Sequence, residues 1–367
     1  MKLRAVATIM VLALLLSGCG SLWDGEYYWK EEYQLPQSPE SGQAVSASNY
    51  SQLEKALTDM VEAGKTQGTV SVADYPSTKL EADVAAVTEA LLQSHPITAY
   101  AVDTITCEVG TSAGEPVLGV QIVYLHDRTE IRNIKTVADH AAAVEAVHKA
   151  LADCLPGIVL QIRDYTPADF TQIVEDYALA YPEIVMEIPM VTENVYPEAG
   201  QTRVLELKFA YQTSRDALKV MQTQVAPVFS SAVLYVSGDG QVSEKFGQLY
   251  SFLMERYDYN YETSITPTYS LLRHGVGDSR SFAMVYAAMC RMAGLESFVV
   301  SGTRDGVSHY WNIVGFNGSY YHLDLLRCSE DDGFVLRYDS DMTGYVWDYS
   351  AYPECSEVIP SLEEQPE

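Results

Sequence analysis

The chain has 367 residues and carries 23 Lys and Arg against 50 Asp and Glu, a formal net charge of −27. Hydrophobic residues make up 47%, enough to bury cores over two or three domains, which excludes a globally disordered chain. The acidic balance excludes the basic footprint with which nucleic-acid binders displace counterions, and it disfavours docking of the folded part on anionic lipid.

Lys2 and Arg4 open the chain, and an apolar run from Ala5 to Leu16 follows, broken only by Thr8. A bilayer span needs about 20 residues; the shorter run fits a signal-peptide core. It closes on Leu16-Ser17-Gly18-Cys19, which resembles the bacterial lipobox. The resemblance implies a lipoprotein signal peptide over 1–18, cleavage before Cys19 and diacylation of its thiol. Two acyl chains meet the condition for stable anchoring. The expected location is the extracytoplasmic face of the cell membrane, with the lipid bilayer a partner through Cys19. Residues 19–48, rich in Gly, Ser, Pro, Gln and Glu, read as a flexible tether.

From Asn49 to Pro227 the chain repeats a pattern once. Asp74-Tyr75 recurs as Asp164-Tyr165, and Tyr124, Arg128, Ile131 and Ile134 recur 87 residues later as Tyr211, Arg215, Leu218 and Met221. Each unit reads strand, helix, strand, strand, helix. The inner strands are expected at 99–107 and 118–124 in the first unit, and at 184–191 and 203–211 in the second. A helix over 137–155, with Val137, Ala141, Val144, His148 and Leu151 on one stripe, joins them. A period this long exceeds a solenoid repeat, so the expectation is two duplicated small α/β domains, 49–136 and 137–227, acting as spacer or binding modules. His140 and His148 are eight apart, not at helical metal-pair spacing.

The chemistry lies in the last third, 240–356, ahead of an acidic tail at 357–367. An amphipathic helix is expected over 246–256, and a second helix begins at Ser279 after Gly275-Val276-Gly277-Asp278 and runs to Gly294. A hairpin follows, its strands flanking Asn317-Gly318, a strong turn signal. The two-residue turn makes paired positions sum to 635, so Trp311 faces Asp324 and His309 lies diagonal to Asp324, within reach of long side chains. The hairpin alone thus brings an imidazole beside a carboxylate, the geometry that orients a His and stabilises its cation.

These residues carry a family resemblance. Gly275, Gly277, Phe282 and Ala283, then His309, Trp311 and Asn312, then Tyr321, His322 and Asp324 resemble the transglutaminase-like superfamily, of papain-type architecture. The fold class expected is therefore α+β, a transglutaminase-like domain preceded by the two duplicated units. The resemblance implies catalytic positions at Ser279, His309 and Asp324, with Gly277, Trp311 and Asn312 supporting the site. In the family a Cys stands where this chain has Ser279. A thiol there is ionised by the His and the helix N-terminus and attacks a glutaminyl or peptide carbonyl. A serine hydroxyl is far less acidic and forms no resting ion pair. Three readings follow: a domain that has lost acyl transfer and binds a peptide, protein or cell-wall component; an active Ser279–His309–Asp324 hydrolase or acyltransferase on peptide or amide substrates; or a role carried by the N-terminal units.

Cys290 is a core residue by this reading, too far along the helix to replace Ser279. No CxxC or zinc spacing, phosphate loop or EF-hand is present, so neither metal nor cofactor is expected. Cys328 and Cys355 are a candidate disulfide that spacing does not establish.

Overall fold

The computed structural model describes residues 45–236, 238–331 and 333–355. The signal peptide, Cys19, most of the tether and the acidic tail lie outside the described residues. Among the described residues no helix is long and apolar enough to cross a membrane.

The first stretch is built on a parallel pair. Strand β1 (Val45–Ser46) leads into helix α1 (Tyr50–Glu62), whose N-cap Asn49 accepts from the Gln52 N–H, and strand β2 (Gln67–Ser71) returns parallel to β1. Helix α1 buries Leu53, Ala56, Leu57, Met60 and Val61, one face at helical spacing. Helices α2 (Ser77–Ser94) and α3 (Pro96–Ala101) follow. Strands β3 (Val102–Ser112) and β4 (Glu115–Tyr124) then complete a sheet of order β1-β2-β4-β3, and a short helix, α4 (Arg128–Arg132), follows.

The next stretch has a similar order of elements, with one helix rather than two between its second and third strands. Strand β5 (Lys135–Asp139) leads into helix α5 (His140–Ala152), and β6 (Gly157–Asp164) returns parallel to β5. Helix α6 (Phe170–Ala180) precedes β7 (Met190–Tyr196) and β8 (Arg203–Ala210), giving the order β5-β6-β8-β7, and helix α7 (Arg215–Tyr235) follows. The described residues form one compact unit.

Several expected boundaries move. The end of the expected tether is strand β1, because Val45 and Ser46 pair with Val70 and Ser71. The joining helix splits at Asp139: Lys135–Asp139 extends along β6, and the Asp139 carboxylate then caps α5 by accepting from the Ala142 N–H. The segment before Val102 is helix α3, started by Pro96 and capped by the His95 ring. The strand expected at 184–191 begins only at Met190. Burial there of Val185, Met186 and Glu187 imitates a strand, while the Glu187 carboxylate is occupied by the Gln212 and Thr213 N–H groups.

The C-terminal part begins with helix α8 (Val242–Met254) and strand β9 (Asp258–Tyr259). A turn at Pro267–Tyr269 and a π-helical stretch, Ser270–His274, lead to strand β10 (Val276–Gly277), which pairs parallel with β9. Helix α9 (Ser279–Met292) follows and buries every residue from Ser281 to Cys290, so it is a central helix rather than a surface one. Strands β11 (Glu296–Arg304), β12 (Val307–Phe316) and β13 (Ser319–Leu323), helix α10 (Leu325–Glu330) and strand β14 (Tyr345–Trp347) complete a sheet of order β13-β12-β11-β14. The hairpin register is Asn312 with Leu323 through Phe316 with Ser319, all summing to 635 as the turn dictates.

Two apolar clusters cover this sheet. Phe246, Leu253, Phe282, Tyr286 and Met289 from α8 and α9 join Val314, Tyr321 and Leu323 in one, and Val300, Trp311, Ile313, Tyr345 and Trp347 form the other. Cys290 is fully buried in the helical cluster. Cys328 and Cys355 are free thiols, not a disulfide. The Cys328 sulfur instead bonds the Val335 carbonyl and the Arg337 guanidinium.

Candidate active site

Ser279 is the first residue of α9, and Asp278 is its N-cap, with the Asp278 Oδ1 accepting from the Ser281 N–H at 2.9 Å and the Ser281 hydroxyl at 2.6 Å. The cap fixes where the helix starts, and with it the Ser279 hydroxyl. Gly277 sits two residues before, where a Cβ would fall 2.8 Å from Cβ of Ser281 and 3.1 Å from Cδ1 of Leu271. Only glycine lets β10 pass this close to the first turn of α9.

Strand β13 stops at Leu323, so β12 runs on without that neighbour beyond Asn312. Tyr310, paired with β11 alone, donates its N–H to the Ser279 Oγ at 3.3 Å. Ser279 thus docks against β12 one residue from His309, and it has no hydrogen bond to His309 among the described residues.

Asp324 is not a strand residue facing Trp311. It is the N-cap of α10, because the chain turns into helix directly after Leu323. Its Oδ1 accepts from the Leu326 and Arg327 N–H groups at 3.1 and 3.3 Å. Its Oδ2 accepts from His309 Nε2 at 2.7 Å and from the Tyr345 hydroxyl at 2.6 Å. Burial favours protonation of this carboxyl. The His309 hydrogen bond and charge, then the Tyr345 and Arg327 donors, outweigh it and hold Asp324 below the ordinary carboxylate range. The ionised carboxylate only accepts, so the His309 proton sits on Nε2.

Asn312 points to the other face of β12, where its Nδ2 donates to the Ala283 carbonyl of α9 at 2.9 Å and the Phe298 carbonyl of β11 at 3.2 Å, tying helix to sheet. Trp311 shares the His309 face. Its Nε1 donates to His322 Nδ1 at 3.0 Å, and His322 Nε2 meets Asp339 Oδ1 at 2.8 Å.

His322, Asp339 and Cys355 offer ligand atoms within 4.8 Å of one another. An indole N–H is a donor only, so His322 Nδ1 is bare and the ring proton must sit on Nε2. The nitrogen facing Asp339 therefore has no lone pair for a metal, and the trio is a hydrogen-bonded set. The Cys355 N–H completes it by donating to Asp339 Oδ2 at 3.1 Å.

Sequence reasoning reached Ser279, His309, Asp324, Gly277, Trp311 and Asn312. It gave no role to Tyr345 or Asp339, which reach the site from the segment after α10. β14 adds at the far edge of the sheet, beside β11, and no local periodicity announces that pairing.

A helix starting on a buried serine, packed on an antiparallel sheet that carries a His–Asp pair, defines the papain-type class of arrangement. The family model of the transglutaminase-like superfamily matches residues 230–325, so the C-terminal part carries a transglutaminase-like domain. The match ends one residue after Asp324, before β14. No protein among those of curated function matches the chain. Among solved structures, a TGase aligns at 10% identity and a TM-score of 0.26, covering 46% of this chain and 50% of that one. A proposed cysteine protease from Cytophaga hutchinsonii aligns at 13% and 0.26, over 43% of this chain and 70% of that one. A proposed protease from Parabacteroides distasonis aligns at 10% and 0.23, over 70% of this chain and 40% of that one.

Proposed function

We propose that this is a lipid-anchored extracytoplasmic protein whose transglutaminase-like domain binds a peptide, protein or cell-wall component without turning it over. The observation that carries the reading is the state of Ser279. An oxygen stands where the family uses a sulfur; it accepts the Tyr310 N–H, and no hydrogen bond joins it to His309 among the described residues. A hydroxyl needs a general base in contact during attack, because no resting alkoxide–imidazolium pair forms. The two N-terminal sheets, alike in strand order, fit duplicated spacer or binding modules. Diacylation at Cys19 supplies the anchor, and Cys19→Ala is expected to release the protein from the membrane fraction.

One observation favours an active serine hydrolase or acyltransferase instead. The His309–Asp324 pair is already assembled at 2.7 Å. A fluorophosphonate probe separates the two. The binding reading expects no labelling of the wild type, whereas labelling that disappears in Ser279→Ala establishes the active one.

A further inference from the structure

Within this site the carboxylate beside the imidazole has an unusual load. Asp324 accepts four hydrogen bonds, two on each oxygen, and Oδ2 is divided between His309 at 2.7 Å and Tyr345 at 2.6 Å. Arg304 reaches to 3.9 Å of the same oxygen but is held back by Glu330 at 2.6 Å. The Tyr345 ring is fixed edge-on to Trp311 and Trp311 edge-on to Trp347, with the Arg304 and Arg327 guanidiniums 5.8 and 5.7 Å from the Tyr345 ring centre. The hydroxyl is therefore aimed rather than free to turn.

We propose that Tyr345 is a positioning residue that takes a share of Asp324 Oδ2 and thereby weakens the hold of the carboxylate on the His309 ring. Negative charge donated to one hydrogen bond is unavailable to the other, and charge-assisted bonds are the strong ones in a buried site. An imidazole facing a shared carboxylate is a poorer partner for a thiolate, whose ion pair needs a firmly held cation. It is also a weaker base toward a hydroxyl, since the imidazolium formed on accepting the proton is less stabilised, which fits a site that binds without turnover. Tyr345 and Ser279 are then two parts of one departure from thiol chemistry.

The charged and titratable groups around the pair come from every element packed on it. They are Asp324 at the α10 cap, Arg327 in α10, Tyr345 in β14, Arg304 in β11, and Asp278 and Tyr259 beside the start of α9. Of these, Tyr345 is the one that bonds the same oxygen as His309.

The inference rests on reading His309–Asp324 as the acid–base pair of the site, and its test reads that pair directly, independent of any probe on Ser279. The probe is the proton resonance of His309 Nε2–H in the full chain, assigned by its loss in His309→Gln. Tyr345→Phe keeps the ring packing and removes only the hydroxyl, and it is expected to move this resonance further downfield. In an Asp324→Asn background, where Asn still caps α10, the same substitution is expected to have no effect. In a Ser279→Cys background, Tyr345→Phe is expected to speed alkylation of the introduced thiol by iodoacetamide. An unmoved or upfield resonance, an equal shift without the carboxylate, or unchanged alkylation would each overturn the proposal.

Discussion

Trp311 donates its indole proton to Nδ1 of His322 at 3.0 Å, so a buried donor-only ring fixes the tautomer of a buried imidazole. Burial lowers the His322 pKa against the opposing pull of Asp339. The folded value thus lies below the ordinary 6.5, and the unfolded chain binds more protons at this position in the interval between the two. The stability it contributes is present above 6.5 and is lost as pH falls through that interval. Asp324, held below 3.8, adds a loss of the same sign only in stronger acid. His95 and His148, also lowered by burial, act like His322. Thermal midpoints are expected to fall from pH 7 to pH 5, and His322→Gln is expected to make that fall smaller. An identical slope in the variant would contradict the assignment, whatever its absolute stability.

Ser279→Cys tests whether the helix start and the His–Asp pair still form a thiol-activating environment. Four of the native thiols make a quiet background. Burial pushes Cys107 up to about 11 and Cys355 to about 12, and Cys154 and Cys290 are raised for the same reason. A thiol at the first position of α9, by contrast, sits where the helix dipole favours the anion. Iodoacetamide at pH 7 is expected to alkylate residue 279 at least about tenfold faster than the native cysteines, measured by mass spectrometry of the peptides. Equal rates would mean that more than one atom separates this site from a thiol enzyme.

How much of this was legible in the sequence depended on the range of the interactions involved. The hairpin register followed from two residues, Asn317 and Gly318, whose positive φ angles of 54° and 77° set the turn and hence every pair along β12 and β13. The start of α9 at Ser279 was equally local, and the structure shows the Asp278 cap that sets it. The nearness of His309 and Asp324 followed from the register, but the reason for it did not. Asp324 leaves the strand to cap α10, a choice made by its two N–H partners downstream. The strand expected near residue 184 failed because burial comes from tertiary packing, and an apolar run buried beside a helix looks the same as one buried in a sheet. Tyr345 was invisible for the strongest reason. It meets Asp324 across 21 residues, through a three-residue strand that pairs with β11 and with neither strand of the Asn317-Gly318 hairpin.

Gly277→Ala is expected to disturb the site through packing. The added Cβ would lie 2.8 Å from Cβ of Ser281, on the turn that carries Ser279, and 3.1 to 3.2 Å from Leu271. The Leu271 Cδ1 can turn aside, but the Ser281 Cβ is fixed to the α9 backbone, so that backbone must shift, at a cost of about 1–3 kcal/mol. A drop in thermal midpoint together with an altered Ser279 environment is expected. A neutral variant would show that β10 has room the geometry denies.

Asn312 offers the sharpest test of what holds α9 to the sheet. Its side-chain amide spans two elements, donating to the Ala283 carbonyl at 2.9 Å and the Phe298 carbonyl at 3.2 Å, while its Oδ1 has no partner among the described residues. Asn312→Ala strands both carbonyls away from water and opens a small void, which is expected to cost about 2–4 kcal/mol. Asn312→Asp is nearly isosteric but replaces the donor with an acceptor, so a carboxylate would face two carbonyl oxygens with no cation beside it. It is expected to be the more destabilising of the two at neutral pH and to recover part of the loss in acid, where the carboxyl regains a proton and can donate once. Denaturant unfolding of both variants at two pH values reads this ordering. An aspartate variant as stable as the alanine one at neutral pH would mean that the amide is not the clamp between helix and sheet.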